Sequence, residues 1–259
     1  MTKLRVAISA GAAGIGRAVA EAFIADGADV YVCDIDEGAL ADFGNRFPGA
    51  VAVRADVSDP AQVDVFFDRI RQDCETLDVM VNNAGIAGPT GLLESLSIED
   101  WRTTIDVDLN SLFYCSRRAI PMLRAAKGGS IINMASNAAF FGFPLRSPYT
   151  ASKWAIIGLT KTLAMELGPA GIRVNALCPC SVEGPRIDRV IAADALSRGM
   201  TIAEVEREYK SQSSMRSFVT NDDIVAMIRF LASAAGVRIS GQAIAIDGHT
   251  EGLSLKMEY

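Results

Sequence analysis

Apolar residues along this chain fall into two alternating patterns. Short, nearly continuous runs rich in valine and isoleucine occur near 4–9, 29–34, 50–55, 77–82, 129–134, 173–178 and 243–247. Runs of that kind are the mark of strands buried on both faces. Between them, apolar positions recur every three or four residues near 14–27, 37–46, 60–74, 98–126, 147–167 and 220–232, which predicts helices. Strands separated by helices are joined by crossover connections, so they pair in parallel and carry helices on both faces. The expected fold class is α/β, a doubly wound parallel sheet of about seven strands. No Pro/Gly/Ser linker, low-complexity tract or internal repeat breaks the alternation, so residues 1–259 are expected to form a single domain.

In such a sheet, ligands bind outside the carboxyl ends of the strands. Those ends carry small or polar residues here: Ser9, Asp34, Asp56, Asn82-Asn83-Ala84-Gly85, Ser136 and Pro179. The first strand runs into Ser9-Ala10-Gly11-Ala12-Ala13-Gly14-Ile15-Gly16 and then a helix. A glycine-rich turn opening a helix lets the backbone approach a pyrophosphate, and the free N–H groups of the helix end face it. The second strand ends on Asp34, about twenty residues beyond the glycines. A carboxylate there accepts from the adenosine ribose hydroxyls and repels a 2′-phosphate, which favours NAD over NADP. Arg17, just after the glycine turn, is read as a solvated side chain rather than a phosphate ligand.

Tyr149 and Lys153 lie four positions apart in Tyr149-Thr150-Ala151-Ser152-Lys153, on one face of a predicted helix. The ammonium can then stabilise the phenolate, giving an acid/base that works at neutral pH. The chain has a net charge of −6 and no basic stripe, so nucleic acid and anionic membranes are not expected partners. Half of the residues are apolar, but no stretch suits a bilayer span, and Met1-Thr2-Lys3-Leu4-Arg5 leads straight into a strand, so a cytoplasmic location is expected. Cys33, Cys74, Cys115, Cys178 and Cys180 lack Cys-x-x-Cys spacing and His249 is the only histidine. Reduced thiols and no metal are therefore expected, even at Cys178-Pro179-Cys180.

Taken together, these residues make the chain resemble the short-chain dehydrogenase/reductase family over essentially its whole length. The resemblance rests on the glycine turn through Gly16, Asp34, Ala55-Asp56-Val57, Asn82-Asn83-Ala84-Gly85, Ser136, Tyr149 to Lys153 and the Asn175 to Pro179 stretch. It implies a Rossmann-type fold and hydride transfer between NAD and a small alcohol or ketone. It also implies roles: Tyr149 takes the alcohol proton, Lys153 holds the nicotinamide ribose and assists Tyr149, and Ser136 hydrogen-bonds the substrate oxygen. Asp56 contacts the adenine and Asn83-Ala84-Gly85 lines the cofactor. The implied cofactor set is Ser9, Gly11, Gly14, Ile15, Gly16, Asp34, Ile35, Asp56, Val57, Asn83, Ala84, Gly85, Tyr149, Lys153, Pro179 and Val182. Enoyl reduction is disfavoured, since related enoyl reductases usually have a longer tyrosine–lysine spacing.

Four positions depart from the family pattern. Ala10 replaces the first glycine of the turn, Asp108 stands where a helix asparagine organises a water relay, Cys180 replaces the glycine after Pro179, and Gly184 replaces a threonine. If Ala10 takes a positive φ, the strain is roughly 1 kcal/mol. Asp108 joins the catalytic set because its charge would stand near Lys153, whereas Asn110 points elsewhere on the helix. The departures leave a second reading open, an NAD-binding sensor or scaffold with weak turnover. Residues 183–216 are expected to form a substrate lid with a helical stretch over 187–209, and Arg146, Arg186 and Arg216 are the candidates for meeting an anionic substrate. A polyol, sugar acid or hydroxy ketone is the preferred substrate. Surplus apolar residues on the 98–126 and 147–167 helices, among them Phe113 and Trp154, suggest a homo-oligomer. The family resemblance implies a tetramer with the 247–259 segment near an interface and His249 in a structural role.

Overall fold

A computed structural model describes residues 3–252 of the chain. Seven parallel strands form one sheet in the order β3-β2-β1-β4-β5-β6-β7. They are β1 (Arg5–Ser9), β2 (Asp29–Asp34), β3 (Val51–Arg54), β4 (Val79–Asn82), β5 (Gly129–Met134), β6 (Ile172–Pro179) and β7 (Ala243–Ile246). The strand order reverses between β1 and β4, which opens a crevice at their carboxyl ends.

Alternate residues of each strand feed opposite faces. Val6, Ile8, Val30, Val32, Val79 and Val81 pack with α1 (Gly14–Ala25), α2 (Glu37–Arg46) and α9 (Asn221–Ala232). Ala7, Tyr31, Cys33 and Met80 pack against α3 (Pro60–Asp73) and α5 (Ser111–Ala125) on the other face, with α6 (Ser147–Leu167) joining through Leu167. Fully burying side chains such as Phe66, Phe67 and Ile70 contributes about 1.5–3 kcal/mol each, which is what clamps α3 to the sheet. Across the middle of the molecule runs a buried polar chain. Asn82 donates to Asn133 Oδ1 at 2.8 Å, and Asn133 donates to Thr160 Oγ1 at 2.9 Å, tying β4, β5 and α6 together. These bonds fix the register of the three elements at the level of the site, while Asn82 Oδ1 is left without a partner among the described residues.

Two expected elements are corrected. The helix expected at 98–126 is α4 (Ile98–Ile105) and α5 joined by a π turn over Asp106–Asn110. The helix expected over 187–209 is two helices, α7 (Pro185–Arg198) and α8 (Ile202–Ser211), broken where Gly199 takes φ 62°. Residues 253–259 of the segment expected near an interface lie outside the described residues, as do Met1 and Thr2.

Candidate active site

The turn after β1 is held from three sides. Gly11 N donates to Cys33 O at 3.0 Å, Ala12 N donates to Asp34 Oδ2 at 3.1 Å, and Asn83 Nδ2 donates to Ser9 O and Ala10 O at 3.1 and 2.9 Å. Ser9 Oγ in turn accepts from Asn83 N and Ala84 N, so Ser9 and Asn83 shape the turn. Gly16 is obligatory, because a Cβ there would stand 2.1 Å from Ala10 O and 2.6 Å from Asn83 Nδ2. Gly14 takes φ 53° and has open space where a side chain would go.

The N-terminal turn of α1 fits a pyrophosphate on its own geometry. Side chains cap α2, α3, α4, α8 and α9, through Asp36, Asp59, Ser97, Thr201 and Thr220. Ala13 cannot cap α1, and its first turn holds no acid, so its N–H groups are left for an anion. Ala10 takes φ 49°, which meets the condition for strain at this position. Ala10→Gly is therefore expected to stabilise the fold by about 1 kcal/mol, read as a higher denaturation midpoint at unchanged m value.

Beyond the turn, Asp34 is buried at the end of β2 with its two oxygens on Ala12 N and Asp36 N. Ile35 beside it is exposed. The nearby cations are committed elsewhere: Arg17 pairs with Glu21 at 3.0 Å and Asp42 at 2.6 Å, and Arg54 pairs with Glu37 at 3.2 Å. Asp56 Oδ1 accepts from Ser58 N and Ser58 Oγ, while Val57 is buried. Val182 bridges to Val219 just past Pro179, the last residue of β6.

Tyr149 and Lys153 share one face of α6, with Lys153 Nζ 5.4 Å from the Tyr149 ring centre. Lys153 is buried; its Nζ donates to Met134 O at 3.3 Å and lies 3.7 Å from Asp108 Oδ2. The π turn brings Asp108 there, fully buried, with Oδ1 accepting from Ile86 N at 2.7 Å and Oδ2 from Ser152 Oγ at 3.3 Å. Such turns widen a helix by one residue and are frequent at functional sites. Asn110 is turned away and donates to Asp106 Oδ1 at 2.6 Å. Gly85 lets this pair approach, since a Cβ there would stand 3.2 Å from Lys153 Nζ. Ser136 is buried at the end of β5, and its Oγ donates to Asn137 Oδ1 at 3.2 Å.

Sequence reasoning missed Ser152, Asn137 and the backbone acceptor at Met134. Asn137 also donates to Thr250 Oγ1 at 3.0 Å, reaching the chain after β7. The only signal for it was adjacency to Ser136. Gly184 takes φ 132°, a conformation for glycine, where it opens α7. Cys180 packs partly buried against the core, as an apolar filler would. Burial pushes the Cys178 thiol up to about 12 and the Cys180 thiol up to about 11, so neither is a thiolate at neutral pH. No cluster of three or more metal-ligating side chains occurs among the described residues. Nor is any helix among them long and apolar enough to cross a membrane. His249 has φ 65° and meets Ser214 Oγ at 2.8 Å through Nδ1. Arg216 is paired with Glu251 at 3.6 Å and bonds Ser211 O, which removes it from the anion candidates.

A family model described as enoyl-(acyl carrier protein) reductase matches residues 10–250. Trans-4-hydroxycyclohexanecarboxylate dehydrogenase of Sinomonas cyclohexanicum is 37% identical over 266 residues, covering 98% of this chain and 96% of its own. The chain belongs to the short-chain dehydrogenase/reductase family. Galactitol 2-dehydrogenase of Agrobacterium fabrum is a further relative of this short-chain dehydrogenase, at 36% identity over 94% of this chain and 96% of its own. Among solved structures, the ligand-free aldohexose dehydrogenase of Thermoplasma acidophilum superposes on it with a TM-score of 0.85 at 30% identity, covering 99% of this chain and 97% of its own. These relatives are dehydrogenases of hydroxyl-bearing substrates, and this chain is an oxidoreductase of the same kind.

Proposed function

We propose that this short-chain dehydrogenase oxidises a secondary alcohol, or reduces the matching ketone, with NAD as cofactor and Tyr149 as acid/base. The observation that carries the reading is the buried Lys153 ammonium held between Asp108, Met134 O and the Tyr149 ring. Ser9, Gly11, Gly14, Ile15 and Gly16 would hold the phosphates of NAD, Asp34, Ile35, Asp56 and Val57 its adenosine, and Asn83, Ala84, Gly85, Pro179 and Val182 its nicotinamide side, and when bound it would supply the hydride acceptor. On the protein side, Ser136 Oγ orients the substrate oxygen and Tyr149 Oη takes its proton as the carbon loses hydride. Lys153 stabilises the resulting charge on Tyr149 and binds the ribose. Asp108 holds Lys153 in place, and its charge alters the proton relay behind it. Residues 183–216, which include α7 and α8, close over the substrate as a lid.

The preference for NAD follows from Asp34 and from the pairing of Arg17 and Arg54 with acids, which commits both arginines away from a 2′-phosphate at the end of β2. Asp34→Ala is expected to lower the ratio of kcat/KM for NAD over NADP by about tenfold to a hundredfold. A wild type that already favours NADP overturns this assignment. A cytoplasmic homotetramer belongs to the same reading, with Phe113 and Trp154, both 52% exposed on α5 and α6, as surface to cover.

The deciding experiment is initial-rate NADH formation over a panel of polyols, sugar acids, secondary alcohols and 4-hydroxycyclohexanecarboxylate. Turnover of a panel member supports the dehydrogenase. Tight NAD binding with no turnover in either direction favours the sensor, the reading to which the strained Ala10 lends support.

A further inference from the structure

Arg146 stands directly before α6, one helical turn ahead of Tyr149. Its Nη1 donates to Ala87 O at 3.2 Å, Thr90 Oγ1 at 3.1 Å and Gly88 O at 3.4 Å, which pins the guanidinium to the loop after β4. Its Cζ lies 5.8 Å from the Phe143 ring centre. Nε and Nη2 have no hydrogen-bond partner among the described residues, and neither is sealed from the surface. No carboxylate among those residues pairs with Arg146. The groups that act on it through space are Tyr149, Tyr209 of α8 and the like-charged Arg186 of α7, and burial pulls its pKa below the usual arginine value. A partly buried guanidinium keeps its charge, and buried charges are normally paired.

The open edge of Arg146 is the one that grips carboxylates elsewhere in the chain. Arg5 uses the same two atoms on Asp78, Nε at 2.8 Å and Nη2 at 3.1 Å. That side-on fork matches a carboxylate with two parallel hydrogen bonds. Arg186 is exposed, makes no ion pair among the described residues, and adds a second positive charge from the start of α7.

We propose that Arg146, with Arg186 as a weaker second cation, binds a carboxylate of the substrate, so that the alcohol oxidised at Tyr149 is a hydroxy acid. The proposal rests on the dehydrogenase reading for its substrate, but the anion subsite can be measured without turnover. The probes are benzoate and the neutral benzamide, titrated calorimetrically into the NAD-saturated protein, with inorganic phosphate as a third ligand. Benzoate is expected to bind about ten to a hundred times more tightly than benzamide and ahead of phosphate, and Arg146→Gln to erase that preference with NAD affinity unchanged. Arg186→Ala is expected to cut the preference about threefold, and it serves if Arg146→Gln does not fold.

Equal binding of benzoate and benzamide overturns the proposal. So does a preference that survives in both variants, or phosphate binding ahead of benzoate. If Arg146→Gln weakens both ligands alike, Arg146 is only a clip for the 87–90 loop and the proposal fails. Should benzoate bind as expected while no alcohol of the panel is oxidised, the subsite stands and the dehydrogenase reading falls.

Discussion

Tyr149→Phe is expected to lower alcohol oxidation by a factor of about 10² to 10⁴, while NAD still binds with nearly wild-type affinity. The substitution removes one oxygen and keeps the ring. Tyr149 Oη makes no hydrogen bond to the described residues, so no protein group loses a partner. Lys153 Nζ keeps its contact with the ring face, 5.4 Å from the centre, and its bond to Met134 O. Stability should therefore stay within about 0.5 kcal/mol of wild type, and a deficit in turnover reports on chemistry alone. Measuring kcat, NAD affinity and the melting midpoint on one preparation separates the three. Turnover within tenfold of wild type would take Tyr149 out of the acid/base role, whatever the binding data say.

Much of this site was legible because its parts sit at the ends of strands that announce themselves. β1, β2 and β4 are buried on both faces, so their apolar runs are nearly unbroken, and Ser9, Asp34 and Asn83 stand out at the points where the runs stop. That Ala10 would be strained if its φ were positive was legible, but the φ itself had to come from the structure. The π turn was not legible. It shifts the helical period by a single residue, too little to disturb the apolar spacing of α4 and α5, and its partners are the backbone of Ile86 and the distant Lys153. The break between α7 and α8 was missed because both helices are polar and the 199–201 turn changes no apolar face. Nor could sequence rank the three arginines. Arg216 is neutralised by Glu251, thirty-five residues on, and the open edge of Arg146 depends on which nitrogen the 87–90 loop engages.

Lys153→Met tests the coupling of stability and function at the centre of the site. Lys153 and Asp108 form a buried ion pair at 3.7 Å, with side chains 5% and 0% exposed. Removing one partner of such a pair leaves a buried charge uncompensated, a loss of about 3–5 kcal/mol, whereas replacing both partners is far milder. Asp108 keeps the Ile86 N–H at 2.7 Å and the Ser152 hydroxyl at 3.3 Å, which places the loss toward the lower end of that range. The double variant Lys153→Met with Asp108→Asn should regain most of the stability. Activity should not return with it, because the ammonium that supports Tyr149 is gone. Asp108→Asn alone leaves the buried Lys153 ammonium without its carboxylate and should also cost stability, toward the lower end of the same range because Nζ keeps Met134 O and the amide oxygen can still accept from Ile86 N. By leaving the ammonium beside Tyr149 without its counter-ion, it should change kcat for alcohol oxidation. A double variant as unstable as Lys153→Met would mean the pair is not coupled as drawn. An unchanged kcat in Asp108→Asn would confine Asp108 to packing.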